Sequence, residues 1–402
     1  MHDFNPKVST LKKKFPKIAI VADQMSSFGG ADREMFSILK LLPYSEIYTI
    51  QFNEKKYLHT YPDLKNKIHT SFVQKLSKLL PKHFYRHLKI LTPFAYESFD
   101  LRGYDLVLSI SAGPGKGVIT QLNQPHVAMV MTPPRSLWDK ELNVRGSKLK
   151  ALYKPLSVLI NTYMRIWDWT TSRRVDYWTA NSKFIAKKIK KTYNKEATVI
   201  YPGVQEKYFK QSSKEQKDKI REKYNLPDNF VLVVSRLYDH KRVDWAIKAC
   251  IEANKNLVIV GEGPDKKYLE KEAKGSDNIQ FLGFVKDDME VKTMYELSEV
   301  LLFCSLEDFG LVPVEAMASG TPVLGFSEGG LLETIKAGVT GELFQTPEQL
   351  CSLLINFDKT RYNEKQIREH ARQFSEENFL INLAEYLERV YEREKKRRER
   401  EY

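Results

Sequence analysis

Two carboxylates eight residues apart close the segment Glu307-Asp308-Phe309-Gly310-Leu311-Val312-Pro313-Val314-Glu315. Gly310 marks a turn, and Pro313 fits the first turn of a helix, where its missing N–H costs little. Amides around Gly310–Val312 are then unpaired donors at the positive end of a helix, suited to a phosphate. Glu315, one turn in, could accept from hydroxyls. The spacing alone fits equally well a strand, loop and helix with solvated glutamates. In Ser235-Arg236-Leu237-Tyr238-Asp239-His240-Lys241-Arg242, Arg236 and Lys241 stand five apart after a strand end. Two such cations can neutralise a diphosphate without a metal, although a lone Arg-x4-Lys more often marks exposed charge at a helix start. Gly261-Glu262-Gly263 and Gly29-Gly30-Ala31 either make tight turns or let backbone approach a phosphate or sugar. Ala112–Gly117 is not a P-loop, because Ile110 stands where that motif needs Gly and Gly117 where it needs Ser or Thr. No Asp-x-Asp pair occurs for holding a metal on a nucleotide diphosphate. A third group, Met131-Thr132-Pro133-Pro134-Arg135 with Trp138-Asp139, then Arg165-Ile166-Trp167-Asp168 and Thr179–Ser182, reads as an aromatic and polar wall for a sugar or as a buried turn cluster.

These residues need strand ends to hold them. Lys17–Asp23 reads as a buried strand, followed by the glycine turn at 28–31 and a helix to about Leu42. Leu106–Ile110, Val127–Met131, Tyr177–Ala180 and Ala197–Ile200 read as further short strands between helical stretches. Tyr201–Val204 reads as a turn out of this series. The pattern restarts with strands at Phe230–Ser235, Asn256–Val260, Ile279–Gly283, Val300–Cys304 and Pro322–Phe326, separated by helices that include Val243–Asn254 and Gly310–Ser319. Two successive βαβ series predict an α/β chain of two doubly wound domains facing across a cleft, with ligands at the carboxyl ends of the strands. The expected division is 1–203, 204–375, and a helix with a charged tail over 376–402 packing back toward the N-terminal domain.

A length of 402 residues agrees with two or three domains. The net charge of +13 is uneven: residues 1–200 hold 33 basic and 15 acidic side chains, residues 201–402 hold 31 and 36. A basic half should face something anionic. The three cysteines lie in or beside apolar runs and read as reduced and buried. No Cys/His cluster has zinc spacing, and no run of about 20 apolar residues exists to span a bilayer. The apolar run Ile18–Ala22 is too short for a secretory signal. The expectation is a cytoplasmic chain, with possible peripheral attachment to the cytoplasmic face of a membrane.

Taken in order, the segments resemble the family-4 glycosyltransferases, retaining enzymes of the GT-B fold. The resemblance runs through Gly29-Gly30-Ala31-Asp32, Thr132-Pro133-Pro134-Arg135 with Trp138-Asp139, Ala180-Asn181-Ser182, Ile200–Val204, Ser235-Arg236-Leu237 with Lys241, Gly261–Pro264, Phe281-Leu282-Gly283, the Glu-x7-Glu segment, and Gly329-Gly330 with Glu333. The Trp-Asp pieces look most like the mannosyltransferase-like branch acting on bacterial surface glycans. The resemblance implies a nucleotide-diphosphate sugar as donor, GDP-mannose favoured and a UDP-sugar as the other choice, and neither cofactor nor metal. It implies that Arg236 and Lys241 hold the departing diphosphate, that Glu307 contacts the donor sugar near the amides of Phe309, Gly310 and Leu311, and that Glu315 takes the ribose hydroxyls. Val312 and Gly263 join the donor site, Phe284 and Val285 sit at the base, and Gly30 and Ala31 close on the diphosphate. Arg135, Trp138 and Asp139 are assigned to the acceptor or sugar cleft. Many relatives carry histidine where Met131 stands, which motivates a second reading: a nucleotide-sugar-binding subunit that needs a partner for catalysis. A nucleic-acid partner is excluded by the lack of any such motif.

Ser71–Leu91 alternates apolar Phe72, Leu76, Leu79, Leu80 and Phe84 with Lys75, Lys78, Lys82 and Arg86. A basic amphipathic helix of this kind lies on an anionic membrane or packs its apolar face into a core. The first alternative would bring the basic half to a glycan or lipid-linked acceptor.

Overall fold

A computed structural model describes residues 4–26, 29–79, 90–139 and 150–401. The chain forms two compact units, Met1–Tyr201 with Phe379–Tyr402, and Pro202–Asn378. Each is built on one all-parallel sheet.

In the first unit the strands are β1 (Ile18–Ala22), β2 (Glu46–Thr49), β3 (Ile68–Thr70), β4 (Leu106–Ser111), β5 (His126–Val130), β6 (Tyr177–Ala180) and β7 (Thr198–Val199). Their order is β3-β2-β1-β4-β5-β6-β7. β1 and β4, which run side by side in the middle, are buried at every position. That burial explains their unbroken apolar runs, since a parallel sheet is covered on both faces. β2 and β3 lie outside the sequence reading: Glu46-Ile-Tyr-Thr and Ile68-His-Thr are short, and their polar residues sit toward an edge where less is buried.

The second unit holds β8 (Val231–Val234), β9 (Leu257–Val260), β10 (Ile279–Gly283), β11 (Val300–Phe303), β12 (Val323–Phe326) and β13 (Gly341–Phe344), in the order β10-β9-β8-β11-β12-β13. In both sheets the order reverses beside the first strand of the series, between β1 and β4 and between β8 and β11. At such a point the connections leave in opposite directions and the carboxyl ends stay uncovered.

The last helix, Glu376–Glu401, buries Phe379, Leu380, Leu383, Ala384, Leu387 and Val390 in the first unit, in one apolar cluster with Ile18, Ile20, Leu106 and Leu108. The three cysteines are free and buried. Among the described residues no helix is long and apolar enough to cross a membrane. The basic segment Ser71–Leu91 is described only in part. The helix Phe72–Leu79 turns Val73 and Ser77 inward, while Phe72 and Leu79 are exposed; Leu80, Lys82, Phe84 and Arg86 lie outside the described residues. Of the recurrent apolar positions in this helix, Phe72 and Leu79 face outward and Leu76 is half-buried.

Leu383 is fully buried, so truncation to alanine removes apolar contacts and leaves a cavity. Leu383→Ala should cost about 2–5 kcal/mol. The check is chemical denaturation followed by a probe confined to the first unit.

Candidate functional site

The second switch point gathers the residues singled out for chemistry. β8 runs out at Val234 into Ser235 and an exposed Arg236, whose guanidinium lies 5.7 Å from the Tyr238 ring centroid. A short 3-10 turn, Asp239–Lys241, then brings Lys241 back. β11 runs out into buried Cys304 and Ser305 and then Glu307. The Lys241 ammonium donates to the Glu307 carboxylate. Both side chains are largely buried, 10% and 21% exposed. Ser235, Lys241, Phe303 and Ser305 line a small cavity beside this pair. Arg236 and Lys241 thus belong to one strand end, with Glu307 paired to the second cation across the reversal.

Backbone contacts fix this loop set. Leu237 N donates to Glu262 O at 3.0 Å, and Gly261 N donates to Gly283 O at 2.8 Å. The arginine loop therefore rests on the Gly261–Gly263 turn, which rests on the end of β10 beside Phe284. A Cβ on Gly263 would lie 2.1 Å from the Leu237 carbonyl oxygen, so the turn admits no side chain there. The glycines hold two candidate binding loops together. Phe284 presents an exposed ring, and Val285 is buried.

Gly310 takes φ +94° and caps the helix Leu311–Ala318. Val314 N is the first amide to close an intrahelical bond, to Gly310 O at 3.4 Å. The amides of Leu311 and Val312 precede that bond, and Pro313 has none, so the helix opens on two donors without an intrahelical acceptor. Phe309 itself is buried edge-on against Phe374, centroids 5.5 Å apart, which leaves only its backbone for a ligand. Gly330 N donates to Glu307 O at 2.9 Å, and a Cβ on Gly330 would meet the Phe309 Cα at 2.4 Å. Glu315 is 6% exposed and accepts from the Tyr295 hydroxyl at 3.3 Å. It is not the solvated glutamate that its spacing alone allowed, because the helix packs that side against Tyr295.

The first switch point is held by a carboxylate that the sequence reading passed over. Asp23, just after β1, accepts from Ser111 Oγ at 2.6 Å, Ala112 N at 2.7 Å and Gly115 N at 3.2 Å. Burial raises its pKa, and these donors pull it back down. It joins the end of β1 to the loop after β4. A lone Asp after an apolar run was the available signal. Gly30 and Ala31 open the helix Gly30–Leu41, where the Asp32 carboxylate accepts from Gly29 N at 2.7 Å and from the Tyr57 hydroxyl at 3.0 Å. Asp32 therefore caps the helix end that carries the glycine turn.

The Thr-Pro-Pro-Arg group follows β5, with Thr132 and Pro133 buried and Arg135 half-buried. Trp138 and Asp139 have their polar atoms engaged within the protein. Trp138 Nε1 donates to Asp168 at 2.8 Å, and the Lys188 ammonium donates to Asp139 at 2.9 Å. Asp168 is the hub: it also accepts from the Tyr193 hydroxyl at 2.7 Å and pairs with Lys116, which is 1% exposed like Asp168 itself. Trp138 and Asp168, which the sequence allows on a sugar-facing wall or in a buried turn cluster, form such a cluster, a knot tying the segment after β5 to the Lys116 loop and to two helices.

Residues 215–379 match the family model described as Glycosyl transferases group 1. The matched region falls almost wholly in the second unit, with Arg236, Lys241, Glu307 and Glu315 inside it. The chain is 37% identical over 154 residues to an uncharacterised glycosyltransferase of Methanocaldococcus jannaschii, covering 36% of this chain and 39% of that protein. It is 32% identical over 187 residues to the alpha-monoglucosyldiacylglycerol synthase of Acholeplasma laidlawii, covering 43% and 47%. It is 29% identical over 231 residues to human alpha-1,3/1,6-mannosyltransferase, covering 51% and 53%. The chain thus spans about half the length or less of these relatives. The structure is similar to that of the Anabaena HepE protein in complex with UDP, with a TM-score of 0.68 at 19% identity, over 92% of this chain and 99% of that one. The two-sheet architecture is accordingly that of the GT-B glycosyltransferases.

Two buried acids generate predictions. Glu34 is 8% exposed, with no hydrogen bond or ion pair among the described residues, and burial pushes its pKa up to about 8 from 4.5. The folded state then holds a proton that the unfolded chain releases, so this group weakens the fold as pH rises from about 4.5 to about 8. The slope reaches about 1.4 kcal/mol per pH unit. Glu34→Gln should flatten that decline and be the more stable form at pH 8, read by urea denaturation across the range. Lys116→Met leaves Asp168 buried without its cation and should cost about 3–5 kcal/mol; adding Asp168→Asn should recover part of the loss in the same assay.

Proposed function

We propose that the protein is a retaining glycosyltransferase that moves a hexose from a nucleotide-diphosphate sugar to a glycan or lipid-linked acceptor. The observation that carries this reading is the Lys241–Glu307 pair at the β8/β11 reversal, with Arg236 on the same loop and the helix Leu311–Ala318 opening beside it. Cleaving a glycosyl–phosphate bond develops charge on the departing diphosphate. Fixed cations and helix-end amides lower the barrier there because their attraction grows as that charge grows. Arg236 and Lys241 hold the diphosphate, joined by the amides of Leu311 and Val312. Glu307 exchanges its ion pair with Lys241 for contact with sugar hydroxyls as the donor enters. Glu315 takes the ribose, and the exposed Phe284 lies at the base.

The reaction on this reading needs no divalent ion. The two cations, Arg236 and Lys241, supply the charge in its place. Retention follows from same-face attack by the acceptor within an ion-pair-like state, without an enzymatic nucleophile. The favoured donor is GDP-mannose, in keeping with the likeness to the human mannosyltransferase; the HepE likeness, whose structures hold UDP and UDP-glucose, keeps a UDP-sugar as the second choice. The first unit takes the acceptor, with Arg135 and the buried Thr132 hydroxyl, which has no partner among the described residues, as the polar groups after β5. Its basic charge brings it to an anionic membrane surface on the cytoplasmic side.

The test is turnover of GDP-mannose, UDP-glucose and UDP-N-acetylglucosamine by the full chain. Arg236→Ala and Glu307→Ala should each lower turnover of the accepted donor by about 10²–10³-fold, as loss of one charge-stabilising contact does elsewhere. Unchanged turnover would show the site to be misassigned. Stabilisation by a nucleotide diphosphate without turnover of any donor would favour the binding-subunit reading.

A further inference from the structure

The helix Lys150–Thr171 carries apolar side chains on two faces, which a helix at a protein surface does not need. One face is packed: Met164 and Trp167 are buried with Ala95, Tyr96 and Val118, while Asp168 and Thr171 are buried beside them. The other face is open. Leu159 is 68% exposed and Ile166 62%, with Val158, Tyr163 and Trp169 also exposed. The spacing 159, 163, 166 and 169 follows the helical period, so these residues form one stripe about 15 Å long. Exposed apolar residues scattered singly are ordinary, and the second unit shows several; a continuous stripe marks a contact surface.

The charge around the stripe selects its occupant. The only acidic residue of the helix is Asp168, which is buried and paired with Lys116. Arg165 leans along the helix to Thr162, and the Arg173 guanidinium stacks on the Trp169 ring at 4.7 Å. The surrounding half of the chain holds 33 basic side chains against 15 acidic. A second copy would oppose two faces of the same sign, whereas an anionic lipid surface complements one. Leucine and isoleucine along the stripe, tyrosine and tryptophan on it, and arginine at its end make up the pattern of an interfacial helix lying in the headgroup layer.

We infer that the outer face of the helix Lys150–Thr171, through Leu159, Tyr163, Ile166 and Trp169, docks the protein on an anionic bilayer. The inference rests on the proposed lipid-linked acceptor for its purpose, but its test does not involve transfer. The purified full chain is co-sedimented with neutral phosphatidylcholine vesicles and with vesicles containing a third phosphatidylglycerol, at low and high salt. Wild type should sediment with the anionic vesicles and keep part of that binding at high salt, since apolar burial is not screened. Leu159→Glu/Ile166→Glu should weaken binding by at least about tenfold, with its unfolding midpoint unchanged. Ile355→Glu, an exposed apolar site in the second unit, should leave binding unaltered. Undiminished binding by the double variant overturns the proposal. So does loss confined to Lys75→Glu/Lys78→Glu, which would move the surface to the helix Phe72–Leu79. So does a wild-type dimer in solution that the double variant turns monomeric, because the stripe then covers itself. Stabilisation by nucleotide diphosphates, measured on the same samples, tests the donor site independently.

Discussion

The ion pair between Lys241 and Glu307 spans the one place in the second sheet where successive connections part. On either side of it the polypeptide leaves in opposite directions, so nothing in the chain path closes the crevice. A cation and a carboxylate placed there are held by their strand ends and by each other. Mutual neutralisation keeps two charged groups acceptable in a largely buried position. The rest of the second unit serves this arrangement: Gly261–Gly263 supports the arginine loop, and Gly330 supports the backbone of Glu307 and Phe309.

Gly261 and Gly263 each lie against neighbouring backbone too closely for a side chain. From sequence, Gly261-Glu262-Gly263 reads as a turn or as a cradle. The close approach of Gly263 to the Leu237 carbonyl shows a third use, as a seat for the neighbouring loop. The candidate binding loops are thereby linked in series, from β10 through β9 to β8. A side chain added at Gly263 would displace the adjoining loop that carries Arg236.

Much of this was legible in the sequence. Strands buried on both faces, such as β9 and β11, are unbroken apolar runs, and β6 and β10 fall on their expected residues although their burial is incomplete. Arg236, Lys241, Glu307 and Gly310 were singled out by residue type in the loops that follow such runs, and the structure brings Lys241 and Glu307 into one ion pair. β2, β3 and β13 were not legible, since they are short and carry polar residues where burial is incomplete. The Asp168 knot was not legible either. Its four members come from separate segments, and an aspartate bound to a buried lysine, a tryptophan and a tyrosine has no local spacing to betray it. For the same reason Trp138 and Asp139 read equally as a ligand wall or as a buried turn cluster, and the fold turns their polar atoms toward Asp168 and Lys188.

The uneven charge acquires a physical role once the exposed residues are placed. Cations alone would hold the basic half loosely to any polyanion, and salt would release it. The helix Lys150–Thr171 adds a component that salt does not screen, because its outer stripe is apolar. Its inner face is tied down by the Lys116–Asp168 pair, which removes the only carboxylate of the helix from the surface. The same buried knot that orders the segment after β5 therefore leaves the outer face free of negative charge. In this way a structural ion pair sets the electrostatic character of a surface on the opposite side of its helix.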